Sequence, residues 1–155
     1  MVLVLYSSPH SDGFTFKALN IVLKFFENSE IKIISSYDLN AKPCVDCGYC
    51  KDTSICKFYD LDEFYDLLFS SNLLIIATPV YNFSIPSPLK SIIDRNQRFY
   101  NKKFNFKEKN AILIVTSGKS DQLSLKIIKK QLFYSFKFIK IKFVFVTLTN
   151  TDKMV

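Results

Sequence analysis

Five short apolar runs, each separated from the next by a stretch with helical periodicity, constrain this chain more than any other feature. Val2 to Tyr6 is continuous and β-rich, the pattern of a strand buried on both faces. Ile31 to Ile34 is a second strand, more polar and so nearer a sheet edge. Leu73 to Ala77, Ala111 to Val115 and Ile141 to Leu148 supply three more. After the first strand, Ala18, Ile21, Val22, Phe25 and Phe26 form a helical stripe. Asp60 with Glu63 three residues on has the form of a capping box, opening a helix with Leu61, Phe64, Tyr65 and Leu68 on one face. Ser87-Pro88 offers an N-cap and a first-turn proline, with Leu89, Ile92 and Ile93 facing inward. A last helix from about Ser120 carries Leu125, Ile128, Leu132 and Phe136.

Strands alternating with helices predict a parallel sheet with right-handed crossovers. The 155 residues make one domain, 1–155. Five strands favour an α/β, flavodoxin-like doubly wound sheet in the order 2-1-3-4-5, with its ligand at the carboxyl ends of the strands. The pattern lacks a C-terminal helix, because Thr147 to Val155 is too short and polar to form one. The last strand, with Ile139, Ile141, Phe143, Phe145 and Leu148, is then expected to be covered on one side only. A homodimer through the first helix and the fifth strand would cover it.

Hydrophobic residues at 48% exclude disorder, and no apolar run approaches the roughly 18 residues of a membrane span. No secretory signal is visible, so a cytoplasmic protein with no membrane partner is expected. Charge is uneven: residues 1–94 hold seven lysines against eleven acids, whereas 95–155 hold fourteen basic residues against three acids. Such a half attracts acidic partners or phosphates, or is a solvated lysine coat. No finger, RNP-like motif or basic zipper accompanies it, so no nucleic-acid partner is expected.

The loops at the carboxyl edge carry the chemistry. Ser7-Ser8-Pro9-His10-Ser11-Asp12-Gly13-Phe14-Thr15 brings hydroxyls, a glycine and a helix N-terminus, all suited to a phosphate. It has neither the lysine of a Walker A loop nor the glycines of a dinucleotide fingerprint. Serines where a phosphorylation receiver needs acids, and no Cys before position 44, disfavour two other users of this fold.

This loop resembles the phosphate loop of the NADPH-dependent FMN reductase family. Ala77-Thr78-Pro79-Val80-Tyr81-Asn82-Phe83-Ser84, with Leu89-Lys90 and Ile93-Asp94-Arg95 behind it, is similar to a second segment of that family. Pro43-Cys44-Val45-Asp46-Cys47-Gly48-Tyr49-Cys50, then Cys56 and Asp60, resembles the cysteine run of its iron–sulfur flavoprotein branch. The resemblance covers residues 1–118. It implies that Ser8, His10, Ser11, Gly13, Phe14 and Thr15 hold an FMN phosphate. Pro79, Val80, Tyr81, Asn82, Phe83 and Ser84 would line the ribityl chain and ring, and Thr116, Ser117 and Gly118 the ring's other edge. His10 stands where the family usually carries Arg, Phe14 where it has a small polar residue, and Ser7 where it has Gly. Asp94-Arg95 either forms a helical or surface ion pair or anchors the loop.

The thiols Cys44, Cys47, Cys50 and Cys56 follow a C-x2-C-x2-C-x5-C spacing. That spacing suits a [4Fe–4S] cubane better than structural zinc, and metal-free thiols stay open. The resemblance implies an FMN-dependent oxidoreductase that passes electrons from NAD(P)H, or from a carrier protein, to a small-molecule or protein acceptor. Two alternatives remain: an iron–sulfur electron relay, and a non-catalytic interaction module that has lost FMN.

Overall fold

The computed structural model describes residues 1–100, 106–119 and 122–151. β1 (Val2–Tyr6), β2 (Ile31–Ser35), β3 (Leu73–Pro79), β4 (Asn110–Thr116) and β5 (Lys142–Leu148) form one parallel sheet. Its order is β2-β1-β3-β4-β5, which is the flavodoxin-like arrangement. The helices are α1 (Phe14–Leu23), α2 (Tyr49–Thr53), α3 (Asp62–Ser70), α4 (Ser87–Asp94) and α5 (Gln122–Ser135).

Each sheet face buries its own core. Leu3, Leu5, Leu74, Ile76, Leu113 and Val115 pack with α3, α4 and α5 through Phe64, Leu68, Leu89, Ile92, Ile128 and Leu132. Val2, Val4, Ile75, Ala77 and Ile114 pack on the opposite face against Ala18, Leu19 and Val22 of α1. Strand parity sets this division, since successive side chains point to opposite faces. Each fully buried Leu, Ile or Phe contributes about 1.5–3 kcal/mol of transfer free energy.

Four sequence expectations need correction. The inward stripe of α1 is Thr15, Ala18, Leu19 and Val22, whereas Ile21 is 63% exposed and Phe25 80%. The helix ends at Leu23 and Lys24–Phe26 tightens to a 3-10 turn, which swings Phe25 outward. Asp60 caps nothing: α3 starts at Asp62 with no side-chain cap, and the Asp60 carboxylate is engaged elsewhere. Ser87 is the first residue of α4 and makes no side-chain cap hydrogen bond, so Pro86 takes the N-cap position. On β5, Phe143 turns to the α5 side, while Val146 and Leu148 pack on the α1 side. Val144, with the parity of those two, is the residue left 63% exposed. Ile139 and Ile141 precede the strand and are buried.

Candidate functional site

The register aligns the strand ends. Tyr6 lies opposite Ala77, Pro79 opposite Thr116, and Thr116 opposite Leu148, so the loops after β1, β3, β4 and β5 share one edge. Ser7 is fully buried: its N–H donates to Ala77 O (2.8 Å) and its Oγ lies 2.8 Å from Ser36 Oγ. It ties β1 to its neighbours on both sides. Its φ is not positive, so this turn has no need of glycine there. Ser8 Oγ accepts the His10 N–H (3.3 Å), and Tyr6 Oη donates to His10 O (2.5 Å). Burial pushes the Tyr6 hydroxyl above its ordinary range, which keeps it a donor. Gly13 sits at φ −70°, and a Cβ there would come within 3.3 Å of His10 Cβ. Close approach, not a left-handed backbone, is what this glycine provides.

Gly13 is also the N-cap of α1 and gives it no side-chain cap. The first-turn N–H groups therefore remain for a ligand. They open onto a cleft of about 330 Å³ whose β1 side is Ser8, His10, Gly13, Phe14 and Thr15. Pro79, Val80 and Tyr81 form a second wall, and Thr116, Ser117 and Gly118 a third. Thr15 Oγ1 and Thr116 Oγ1 meet at 2.6 Å, joining the first wall to the third. Val80 N–H donates to Thr116 O (2.8 Å), joining the second to the third. Most of the residues expected at one site are brought together.

Four are not. Ser11 is exposed and outside the cleft. Asn82, Phe83 and Ser84 lie beyond the wall, on a tight turn closed by paired Tyr81 and Ser84 backbone bonds of 2.9 Å. Asn82 and Phe83 both have positive φ, 47° and 62°, as a two-residue mirror-type turn demands. Phe83 is 67% exposed, a costly conformation for an aromatic that no packing repays. Thr151 lines the cleft although nothing in the sequence singled it out. Its N–H reaches Ser117 O (3.3 Å), folding the segment after β5 over the rim.

The cysteine loop lies between β2 and α3. Cys44, Cys47, Cys50 and Cys56 line one cavity of about 100 Å³ with Arg95 and Arg98. No disulfide forms, and among the described residues no three Cys, His, Asp or Glu side chains group as ligands of a single metal ion. Burial pushes the Cys50 thiol up, and the other three cysteines add to the rise. Arg95 anchors the loop, with a side chain only 1% exposed. Its guanidinium donates to Asp60 Oδ1 (2.5 Å) and to Phe58 O (2.6 Å), with Lys42 O at 3.4 Å. Lys42 N–H donates to the other Asp60 oxygen (2.8 Å). Burial alone would raise the Asp60 carboxyl, but the Lys42 amide and Arg95 outweigh it and hold it below its ordinary range. Asp94 pairs with Lys90 one turn back, so the two neighbours have separate jobs. Arg95 Nε is buried with no hydrogen-bond partner among the described residues.

Fold and cleft define an α/β protein of flavodoxin-like architecture with a cleft at the strand ends onto which the uncapped N-terminus of α1 opens. The chain belongs to the NADPH-dependent FMN reductase family, whose model matches residues 1–151. A segment of 28 residues is 64% identical to FMN-dependent NAD(P)H:quinone oxidoreductase 1 of Pseudomonas aeruginosa, covering 18% of this chain and only 13% of that protein. NAD(P)H:quinone oxidoreductase from Methanothermobacter marburgensis superposes with a TM-score of 0.76 at 13% identity, over 96% of this chain and 83% of that one. An FMN-dependent NADH-azoreductase from Bacillus anthracis, solved with FMN, gives 0.69 at 18% identity over 97% and 87%. At these identities the superpositions describe the fold.

Proposed function

We propose that the cleft binds FMN and that the protein is an NAD(P)H-dependent oxidoreductase of the kind that reduces quinones or similar two-electron acceptors. Membership of the FMN reductase family supports this reading, and one structural observation carries it. The uncapped N-terminus of α1 opens into a cleft built from three strand-end loops. Main-chain N–H groups of Phe14 and Thr15 would take the phosphate, helped by the helix dipole and the Ser8 hydroxyl. Lys17, its ammonium 5.3 Å from the centre of the Phe14 ring, adds the one lysine charge within that helix. The Val80 and Tyr81 amides are already bonded, so that wall would meet the ring through side chains. Pro79, Thr116 and the turn over Thr151 would exclude water. FMN, when bound, supplies the chemistry: it accepts hydride from the nicotinamide and passes electrons on. In anaerobic FMN-loaded protein, NADH or NADPH should bleach the yellow flavin band and a soluble quinone should restore it. A flavin band untouched by either nucleotide refutes the reading.

A second reading places a [4Fe–4S] cluster on the cysteine loop. What favours it is the unpartnered Arg95 Nε beside a cavity lined by all four thiols, a donor suited to a cluster sulfur. The four would have to draw closer, as thiolates do around a cluster. Anaerobic reconstitution should then give about four irons per chain, lost in Cys47→Ser. An iron-free parent refutes it. Exposed Ile21 and Phe25 on the α1 segment, with exposed Val144 on β5, further support a homodimer through the first helix and the fifth strand. Light scattering should give twice the chain mass, and a monomer would remove the proposal.

A further inference from the structure

From Gln122 to Thr151 the chain carries six lysines and no carboxylate, and no arginine follows Arg98. Much of this charge gathers on one surface. α5 buries Ser124, Leu125, Ile128 and Leu132, which turns Lys126 and Lys130 outward. Lys137 and Lys140 follow, exposed, at and just after the short 3-10 turn that ends the helix. These four have no ion-pair partner among the described residues. Lys129 is set apart by its place over the Phe145 ring (4.8 Å), and Lys142 by its pair with Glu108. Large apolar groups interleave with the lysines: Ile127 is 42% exposed, Phe133 41% and Tyr134 57%. A surface helix ordinarily turns polar groups outward.

We propose that the outer face of α5 docks on an anionic lipid surface. Lysines attracted to a negative headgroup layer, with apolar side chains entering its boundary, are the parts of a peripheral membrane contact. The absence of a spanning helix among the described residues does not bear on such a contact. An acidic protein partner fits less well, because specific protein interfaces enrich arginine and deplete lysine. Flexible point charges suit a diffuse layer of headgroups. Position argues the same way. α5 starts just past Gly118 at the cleft rim and runs away from it for about 21 Å. An electron carrier seated on its middle would be about 10 Å of helix from the rim, whereas a membrane along the whole helix leaves the cleft beside an apolar phase. Position counts only on the redox reading of the cleft, whereas the charge and apolar pattern of α5 stands without it.

Co-sedimentation with vesicles tests it, using phosphatidylcholine alone and phosphatidylcholine mixed with phosphatidylglycerol. The protein should pellet with the mixed vesicles, stay in solution with the neutral ones, and be released by salt of about 1 M. Lys126→Gln/Lys130→Gln/Lys137→Gln should weaken binding on the order of a hundredfold. Ile127→Ser/Phe133→Ser should weaken it about tenfold and leave the salt response. Binding that ignores lipid charge, or an unaltered affinity in the folded lysine variant, overturns the proposal. Capture by polyglutamate or duplex DNA without vesicle binding overturns it too.

Discussion

Replacing Arg95 by Ala would test how the cysteine loop is held. The side chain is 1% exposed and bonds Asp60, Phe58 O and, more weakly, Lys42 O. Removing one partner of a buried ion pair costs about 3–5 kcal/mol. The lower end applies, because Asp60 is 22% exposed and keeps the Lys42 amide. About 3 kcal/mol is therefore expected, or a Tm lower by roughly 6–12 °C for a chain of this size. Arg95→Lys should recover less than half, since one ammonium cannot span Asp60 and Phe58 O as a planar guanidinium does. A double-mutant cycle with Asp60→Asn should show coupling of about 1–2 kcal/mol. The pair also has a predicted pH dependence. Asp60 is depressed in the fold, so its contribution is complete above the unfolded value near 4 and fades as pH falls through the lower folded value. The gap between wild type and Arg95→Ala should narrow below about pH 4. Urea denaturation measures all of this. A folded Arg95→Ala protein within about 0.5 kcal/mol of wild type would refute the anchor.

Ser8→Ala should weaken FMN binding by about 1–2 kcal/mol in a fluorescence titration, the worth of a hydrogen bond to a charged acceptor, with little change in stability. Gly48→Ala should destabilise by about 1 kcal/mol because φ is +74° there although space is open, and thermal melts should show it. Lys109 is buried with its ammonium on Ser71 O, and burial lowers its pKa. The unfolded chain then holds that proton more tightly, so stability should rise as pH climbs towards the unfolded value near 10.4. Lys109→Met should flatten that rise in pH-dependent denaturation.

The sheet order was legible because both-face burial leaves continuous apolar runs, and five of them with intervening helical periods admit few topologies. The cleft was legible for the same reason: parallel strands put their following loops at one edge. What the sequence hid lies in side-chain partners distant along the chain. Asp60 carries the local signature of a cap, yet the buried guanidinium of Arg95, 35 residues on, claims it. Ser7 departs from glycine harmlessly because Ser36 occupies its hydroxyl. Thr151 looked like polar tail, and only its backbone bond to Ser117 brings it to the rim. α2, Tyr49–Thr53, has no apolar stripe to announce it and is bounded by positive φ at Gly48 and Ser54. Asn82 and Phe83 belong to the segment expected to line the ring, but the turn they form carries them past the wall.

The central claim is that the cleft between the β1, β3 and β4 loops is a flavin site. Equilibrium gel filtration of the purified protein with FMN, read by absorbance, tests it most directly. The account predicts one FMN retained per chain, with Thr15→Val, which breaks the hydroxyl contact to Thr116 inside the cleft, retaining less. FMN eluting free from folded wild-type protein would contradict it.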